Sequence, residues 1–332
     1  MTQTGPVATE QWTRAKGLPA QTLGLAFSST ASNTGYAAAF VNKTTQDIYA
    51  TTDTGGTWSH ISTVTAPVAD ALTTDPTDPQ DLVMLSYSVP MPGNYTVERS
   101  TDGGHTWNQQ ATTLPSNATV SQTGWADSNF LVAFQLDRQP LGDSALVAFP
   151  ATGASQHLDV DGKIDGISIP HIQLITSFRQ RLQIWGSDDT QTPNTIGLVT
   201  ANMGKTWQSL SATAAGKAIK PMATTADGVA LLALTVDQSQ VALSRDGGLT
   251  WQMQKSLSND KFQADHEAFV TGAGQLLLHV STGANPGMYG MRNGAWVRLT
   301  THDVVAVSTD SSGAIVRLWS YDANGIVTWM DA

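Results

Sequence analysis

A chain of 332 residues, 40% hydrophobic but only 13% charged, can bury a large core and still present a surface of uncharged polar side chains. Its 27 acids outnumber 17 bases for a net charge of −10, with no Lys/Arg cluster, so a nucleic-acid partner is excluded and anionic membrane surfaces are disfavoured. The lack of cysteine removes disulfides, thiol catalysis and thiolate metal sites, and no apolar run approaches the roughly 20 residues of a membrane span, so bilayer insertion is not expected.

From the N-terminus, residues 1–11 (MTQTGPVATEQ) lack the basic and apolar regions of a signal peptide. The polar, Lys-poor, Thr-rich composition nonetheless suits bacterial export. The expectation is a secreted or cell-surface protein whose signal or anchor lies outside this sequence, or a domain excised from a larger one.

The first marked stretch is TTDTGGTW at residues 51–58, followed by STDGGHTW at 100–107, TANMGKTW at 200–207 and SRDGGLTW at 244–251. The shared pattern is Ser/Thr-x-Asp-x-Gly-x-Thr-Trp. It recurs, and an active site does not, so Asp53, Asp102, Asn202 and Asp246, with Trp58, Trp107, Trp207 and Trp251, read as structural parts of a repeated unit. Asp accepts hydrogen bonds from its own turn, Gly adopts backbone angles closed to other residues, Thr ties the returning strand, and Trp packs a large flat surface.

The acids and their Asn equivalent are separated by 49, 100 and 44 residues, so the middle gap holds one unmarked unit, near residue 157. Trp12 lies 46 residues before Trp58 and Trp296 lies 45 after Trp251, which extends the same ruler. The 36 residues after Trp296 and the first 12 of the chain together make one more unit. Seven units of about 47 residues match the length of a four-stranded propeller blade.

Within the second unit, residues 69–73, 81–87, 95–100 and 107–111 are β-rich runs separated by turn formers. Helical periodicity is nearly absent. The expected fold is all-β: one seven-bladed β-propeller of four-stranded antiparallel blades over residues 1–332. A strand at about 9–15 completes the blade formed by about 303–332, and closing the ring removes exposed sheet edges.

These stretches resemble the Asp-box, or bacterial neuraminidase repeat, family of β-propellers; three of the four match the pattern fully, and Asn202 replaces Asp in the other. The TTDPTDPQDLV stretch is similar to blades of sortilin, photosystem II assembly factors and xyloglucan-cleaving endoglucanases. Sialidases resemble one another in an Arg-Ile-Pro segment, an arginine triad and a Tyr-Glu pair. This chain has no Arg-Ile-Pro, and arginines such as Arg99 and Arg245 fall where a blade edge is expected, so sialidase activity is not.

In such propellers the loops entering the inner strands share one face with those joining the second and third strands, and the repeated boxes occupy the other face. The segments placed on the entry face carry Trp125, Asp127, His171, Lys220, Asp265, His266, Glu267, His302 and Asp303, and the second set of loops adds Arg138. In a strand, Asp265 and Glu267 would lie roughly 6 to 7 Å apart on one side. Paired carboxylates cleave glycosides at roughly 5 to 9.5 Å, so Asp265 and Glu267, with Asp127 and Asp303, are the candidate catalytic acids. The same acids also read as groups that hold water around a channel mouth.

Trp125, His171, His266, His302 and Arg138 are the candidate ligand-binding residues. The histidines lack metal-ligand spacing, and the acids of residues 158–166 (LDVDGKIDG) fail the calcium-loop order and read as the turn of the unmarked blade, so neither metal nor cofactor is expected. Trp185 and Trp319 sit in apolar runs and read as core. The functional expectation is a monomeric, rigid binding scaffold for a glycan or protein, with a glycoside hydrolase as the alternative.

Overall fold

The computed structural model describes residues 10–28, 33–88, 94–110, 118–136, 144–158, 160, 171–187, 195–225, 227–237, 240–254, 268–271, 273–280, 286–310 and 312–332. It is all β, with seven antiparallel sheets in a ring, a seven-bladed β-propeller. Blade 1 comprises Thr22–Phe27, Gly35–Asn42, Thr45–Thr51 and Ser59–Val64, and blade 2 comprises Val68–Thr74, Leu82–Tyr87, Tyr95–Ser100 and Asn108–Gln109. Blade 3 is Ala118–Ala126, Asn129–Leu136, Ser144–Phe149 and Gln156–Leu158; blade 4 is His171–Phe178, Arg181–Ser187, Thr195–Thr200 and Gln208–Leu210. Blade 5 is Lys217–Thr224, Leu231–Thr235, Val241–Ser244 and Gln252–Met253, with Thr213–Ala214 as a short fifth strand. Blade 6 is Ala268–Val270, Leu276–Val280, Gly287–Arg292 and Ala295–Thr300.

Blade 7 contains Ala306–Thr309, Ile315–Tyr321 and Val327–Asp331, and its fourth strand is Thr13–Arg14 from the other end of the chain. Thr13 pairs with Trp329 and Arg14 with Thr328. Ahead of this strand, the Glu10 carboxylate reaches blade 6, where it accepts from the Thr300 hydroxyl at 2.8 Å, the Thr301 amide at 2.9 Å and a His302 ring nitrogen at 3.0 Å. Beyond it, Lys16 bridges to Thr57 in blade 1. The N-terminal segment thus touches three consecutive blades.

The second strand of each blade is pressed between neighbouring blades on both sides, and its sequence is accordingly a near-continuous apolar run. Residues 82–85, 130–134, 231–234 and 276–278 are all buried. Trp185 and Trp319 occupy equivalent positions in blades 4 and 7, fully enclosed, and each meets the box tryptophan of the next blade edge to face: Trp185 with Trp251 at 5.9 Å and Trp319 with Trp58 at 6.0 Å, both at 86°.

The unmarked blade 3 is intact, but its last turn lies at residues 150–155. The stretch 158–166 therefore begins at the end of the outer strand instead of forming that turn, and most of it lies outside the described residues. Two-residue turns with positive φ at both positions join the inner strands of blades 3 and 4, at Asp127-Ser128 and Arg179-Gln180, and the Asn293-Gly294 hairpin of blade 6 is of the same kind.

Candidate functional site

The four repeated stretches fold into one geometry. In blade 2, the Ser100 hydroxyl donates to Asp102 Oδ1 at 2.8 Å and accepts the Gly104 amide at 2.8 Å. Asp102 accepts the Thr106 amide on Oδ1 at 2.9 Å and the Thr106 hydroxyl on Oδ2 at 2.6 Å, and Trp107 Nε1 donates to the Gly104 carbonyl. Those bonds from Thr106 and Ser100 hold the Asp102 carboxyl down at about 2 against a small opposing effect of burial. Asp53 and Asp246 repeat the pattern. Asn202 keeps the Oδ1 bonds and reverses the last one, its Nδ2 donating to the Thr206 hydroxyl at 2.9 Å.

Every bonding group of these acids is occupied by its own turn, and the glycines face the preceding blade. A Cβ on Gly55 would fall 2.2 Å from the Trp319 ring, and one on Gly248 would fall 2.7 Å from Trp185. The turns therefore clamp blade 7 to 1, 1 to 2, 3 to 4 and 4 to 5.

Blade 3 has no such turn, and the 2/3 interface is closed by an ion pair. Arg99 is 2% exposed, in contrast to the edge position expected for it, and binds Asp81 of its own blade through Nε and Nη2. Its remaining donors reach the Phe149 and Ser128 carbonyls of blade 3 at 3.0 and 2.8 Å, and its guanidinium lies 5.4 Å from the Trp125 ring. The neighbouring Glu98 faces the other way in the strand, is 4% exposed, and burial pushes its carboxyl up to about 7.

Among the described residues, those named from sequence do not converge. The spacing puts Trp125 and Asp127 in an entry segment, but Trp125 is in the far half of the blade 3 inner strand and Asp127 is in the turn beyond it. Asp127 thus lies on the face of the box turns, whereas Asp303, in the segment entering blade 7, lies on the opposite face. Trp125 is 8% exposed, donates Nε1 to the Thr73 hydroxyl at 3.1 Å, and offers no open ring to a ligand.

Asp303 is 76% exposed and takes a 3.0 Å contact from His279 Nε2. His171 begins the blade 4 inner strand, its Nδ1 3.4 Å from Gln135 Nε2. His302 is occupied by Glu10 and stacks at 4.9 Å on Trp12. Asp265, His266, Glu267 and Arg138 lie outside the described residues, and among the described residues no cluster of three metal-ligating side chains occurs.

Three exposed apolar side chains stand among the polar groups of the entry face. Leu23 is 42% exposed, Val41 48% and Val305 37%, all at the entry end of adjacent blades 1 and 7. Leu23 is the extra residue of a β-bulge, and bulges at Asp70, Ser121, Gln173 and Met222 repeat this on the next four inner strands. A bulge re-aims a side chain away from the pleat, and it leaves Leu23, Asp70 and Ser121 exposed, whereas Met222 still packs against the core between blades 5 and 6. Desolvation raises the Asp70 carboxyl and lowers the Lys220 amine, both on inner strands.

No protein-family model matches the chain and no curated protein matches it. Among solved structures, YCF48 from Cyanidioschyzon merolae is similar over 96% of this chain and 98% of its own, at 14% identity and a TM-score of 0.55. A structure of YCF48 bound to D1 peptide is similar over 80% of this chain and 78% of that one, at 14% identity and a TM-score of 0.52. An ancestral GH74 enzyme is similar over 98% of this chain but only 48% of its own, at 11% identity and a TM-score of 0.52. At these identities the likeness is one of fold: the chain is a seven-bladed β-propeller with YCF48 and GH74 propellers among its structural neighbours.

Proposed function

We propose that this propeller is a rigid scaffold that binds a polypeptide partner across its entry face. The observation that carries the reading is that Leu23, Val41 and Val305 are exposed at the entry ends of adjacent blades 1 and 7, apolar surface of the kind that serves protein contacts. The YCF48 structure with a bound D1 peptide supports this use of the fold by analogy. The four box turns support membership of the Asp-box group, and the sparsely charged composition supports an extracytoplasmic setting.

The placement of Asp127 and Asp303 on opposite faces argues against an acid pair made from them, leaving Asp265 and Glu267 as the candidates for glycoside hydrolysis, the second reading, favoured by their alternating spacing. The test is selection of a displayed peptide library on the wild type and on Leu23→Asp/Val305→Asp, beside a panel of glycosidase substrates. The scaffold reading expects peptides enriched on the wild type alone and no turnover. Turnover abolished by Asp265→Ala/Glu267→Ala would replace it with the hydrolase reading.

A further inference from the structure

Between the box turns of blades 1 and 2, on the face opposite the apolar group, lies an open cleft of about 320 Å³. Its walls include Tyr36, Thr52 and Ser59 of blade 1 and Gln80 and His105 of blade 2, with Ile61 and Ala50 supplying an apolar patch. Among the described residues, no aspartate, glutamate, lysine or arginine lines it.

Two features separate this cleft from an incidental gap between blades. First, Tyr36 is only 2% exposed, yet its hydroxyl has no hydrogen-bond partner among the described residues while lining the cleft. The ring is enclosed and held in place while the hydroxyl alone opens into the cleft, where it is free to bond a ligand hydroxyl. Burial, and the nearby Asp78 charge, raise the Tyr36 phenol further above its ordinary range, so it stays a neutral donor.

Second, the side chains of Thr52, Ser59 and Gln80 make no hydrogen bond among the described residues, whereas the hydroxyls of Thr51 and Thr57 are already committed to Asp53. The cleft thus offers several free donors and acceptors, a small apolar wall, and no fixed charge. An anion finds no cation here and meets a protein of net charge −10, and an amine finds no carboxylate lining the cleft. The fitting chemistry is an uncharged ring with hydroxyls on its rim and C–H groups on its face.

We infer that this cleft binds a neutral sugar residue, as a free monosaccharide or the end of a glycan, at a volume near the lower limit of small-molecule sites, roughly 300 Å³. Tyr36 and Gln80 bond the ring hydroxyls and Ile61 packs on its apolar face. The site is separate from the entry face and does not rest on the scaffold reading.

The test is saturation-transfer NMR and titration of the intact protein with glucose, galactose, mannose and xylose, and with glucuronate as a charged control. One neutral sugar is expected to bind at millimolar affinity and to weaken fivefold or more in both Tyr36→Phe and the exposed-site variant Ser59→Ala. Leu23→Asp/Val305→Asp should leave that affinity unchanged, which separates this inference from the scaffold reading. No neutral-sugar binding up to about 50 mM, well above the usual millimolar range, would overturn it. So would preference for glucuronate, or affinity indifferent to both cleft substitutions.

Discussion

Arg99 Nε donates to Asp81 Oδ1 at 2.8 Å, and both side chains are shut away from solvent at the interface of blades 2 and 3. This pair does for the unmarked blade what the box turns do for four others, since the same guanidinium also bonds Phe149 and Ser128 of blade 3. Removing one member of a buried pair strands the other charge. Arg99→Leu is therefore expected to cost about 3–5 kcal/mol, and Asp81→Leu added to it should recover much of that loss. Urea unfolding of the two single variants and the double variant checks this; additive losses would show that the pair is uncoupled.

Glu98 gives stability a distinct pH dependence. Its carboxyl titrates near 4.5 when unfolded and about 7 when folded, so between those values the folded protein holds the extra proton. The stability Glu98 contributes is fully present below about pH 4.5, is lost as pH rises to about 7, and stays lost above it. By a shift of this size, Glu98→Gln gains roughly 3 kcal/mol on the wild type between pH 4 and pH 8. Denaturant midpoints at those two pH values measure the difference, which a constant offset between the proteins would contradict.

Ring closure depends on Glu10 as well as on the two-residue strand behind it. Burial alone would raise this carboxyl, but bonds from Thr300, Thr301, Trp12 and His302 hold it below its ordinary range. Its contribution is present above the unfolded pKa and is lost as pH falls through the folded one. Glu10→Ala should cost about 1–3 kcal/mol at neutral pH and speed hydrogen exchange in Val327–Asp331 before other blades. Unchanged exchange there would mean that the strand holds without the latch.

The box acids act through local bonds, and Asn202 shows how much of the pattern an amide retains. Asp102→Asn should therefore cost under about 1 kcal/mol and Asp102→Ala about 1–2 kcal/mol, with neither affecting ligand binding on the entry face. Thermal melts and peptide titration of the two variants read both effects; equal losses would show that the carboxylate charge, and not the turn geometry, is what matters.

Much of the fold was legible because its signals repeat. Box spacing, Trp12 and Trp296 marked the blades, and incomplete ends pointed to a shared seventh sheet, observed as Thr13–Arg14 against Val327–Asp331. The site was less legible because a period locates a blade but not the ends of its strands. The blade 3 inner strand runs nine residues, with a bulge after Val120, which carries Trp125 and Asp127 away from the entry where the sequence placed them. Arg99 read as an edge residue because its partner is 18 positions back on the connection to a neighbouring strand, a pairing no local pattern reveals. The unpaired Tyr36 hydroxyl was equally hidden, since its surroundings come from two blades.

On the proposed function, Leu23, Val41 and Val305 at the entry ends of blades 1 and 7 contact a bound polypeptide. Calorimetric titration of an enriched peptide into the wild type and into Leu23→Asp/Val305→Asp tests it most directly. The prediction is a loss of affinity of about tenfold or more, as expected for contacts at the centre of an interface, with the melting temperature unchanged. Equal affinity for both proteins would contradict the account and place the binding surface elsewhere on the ring.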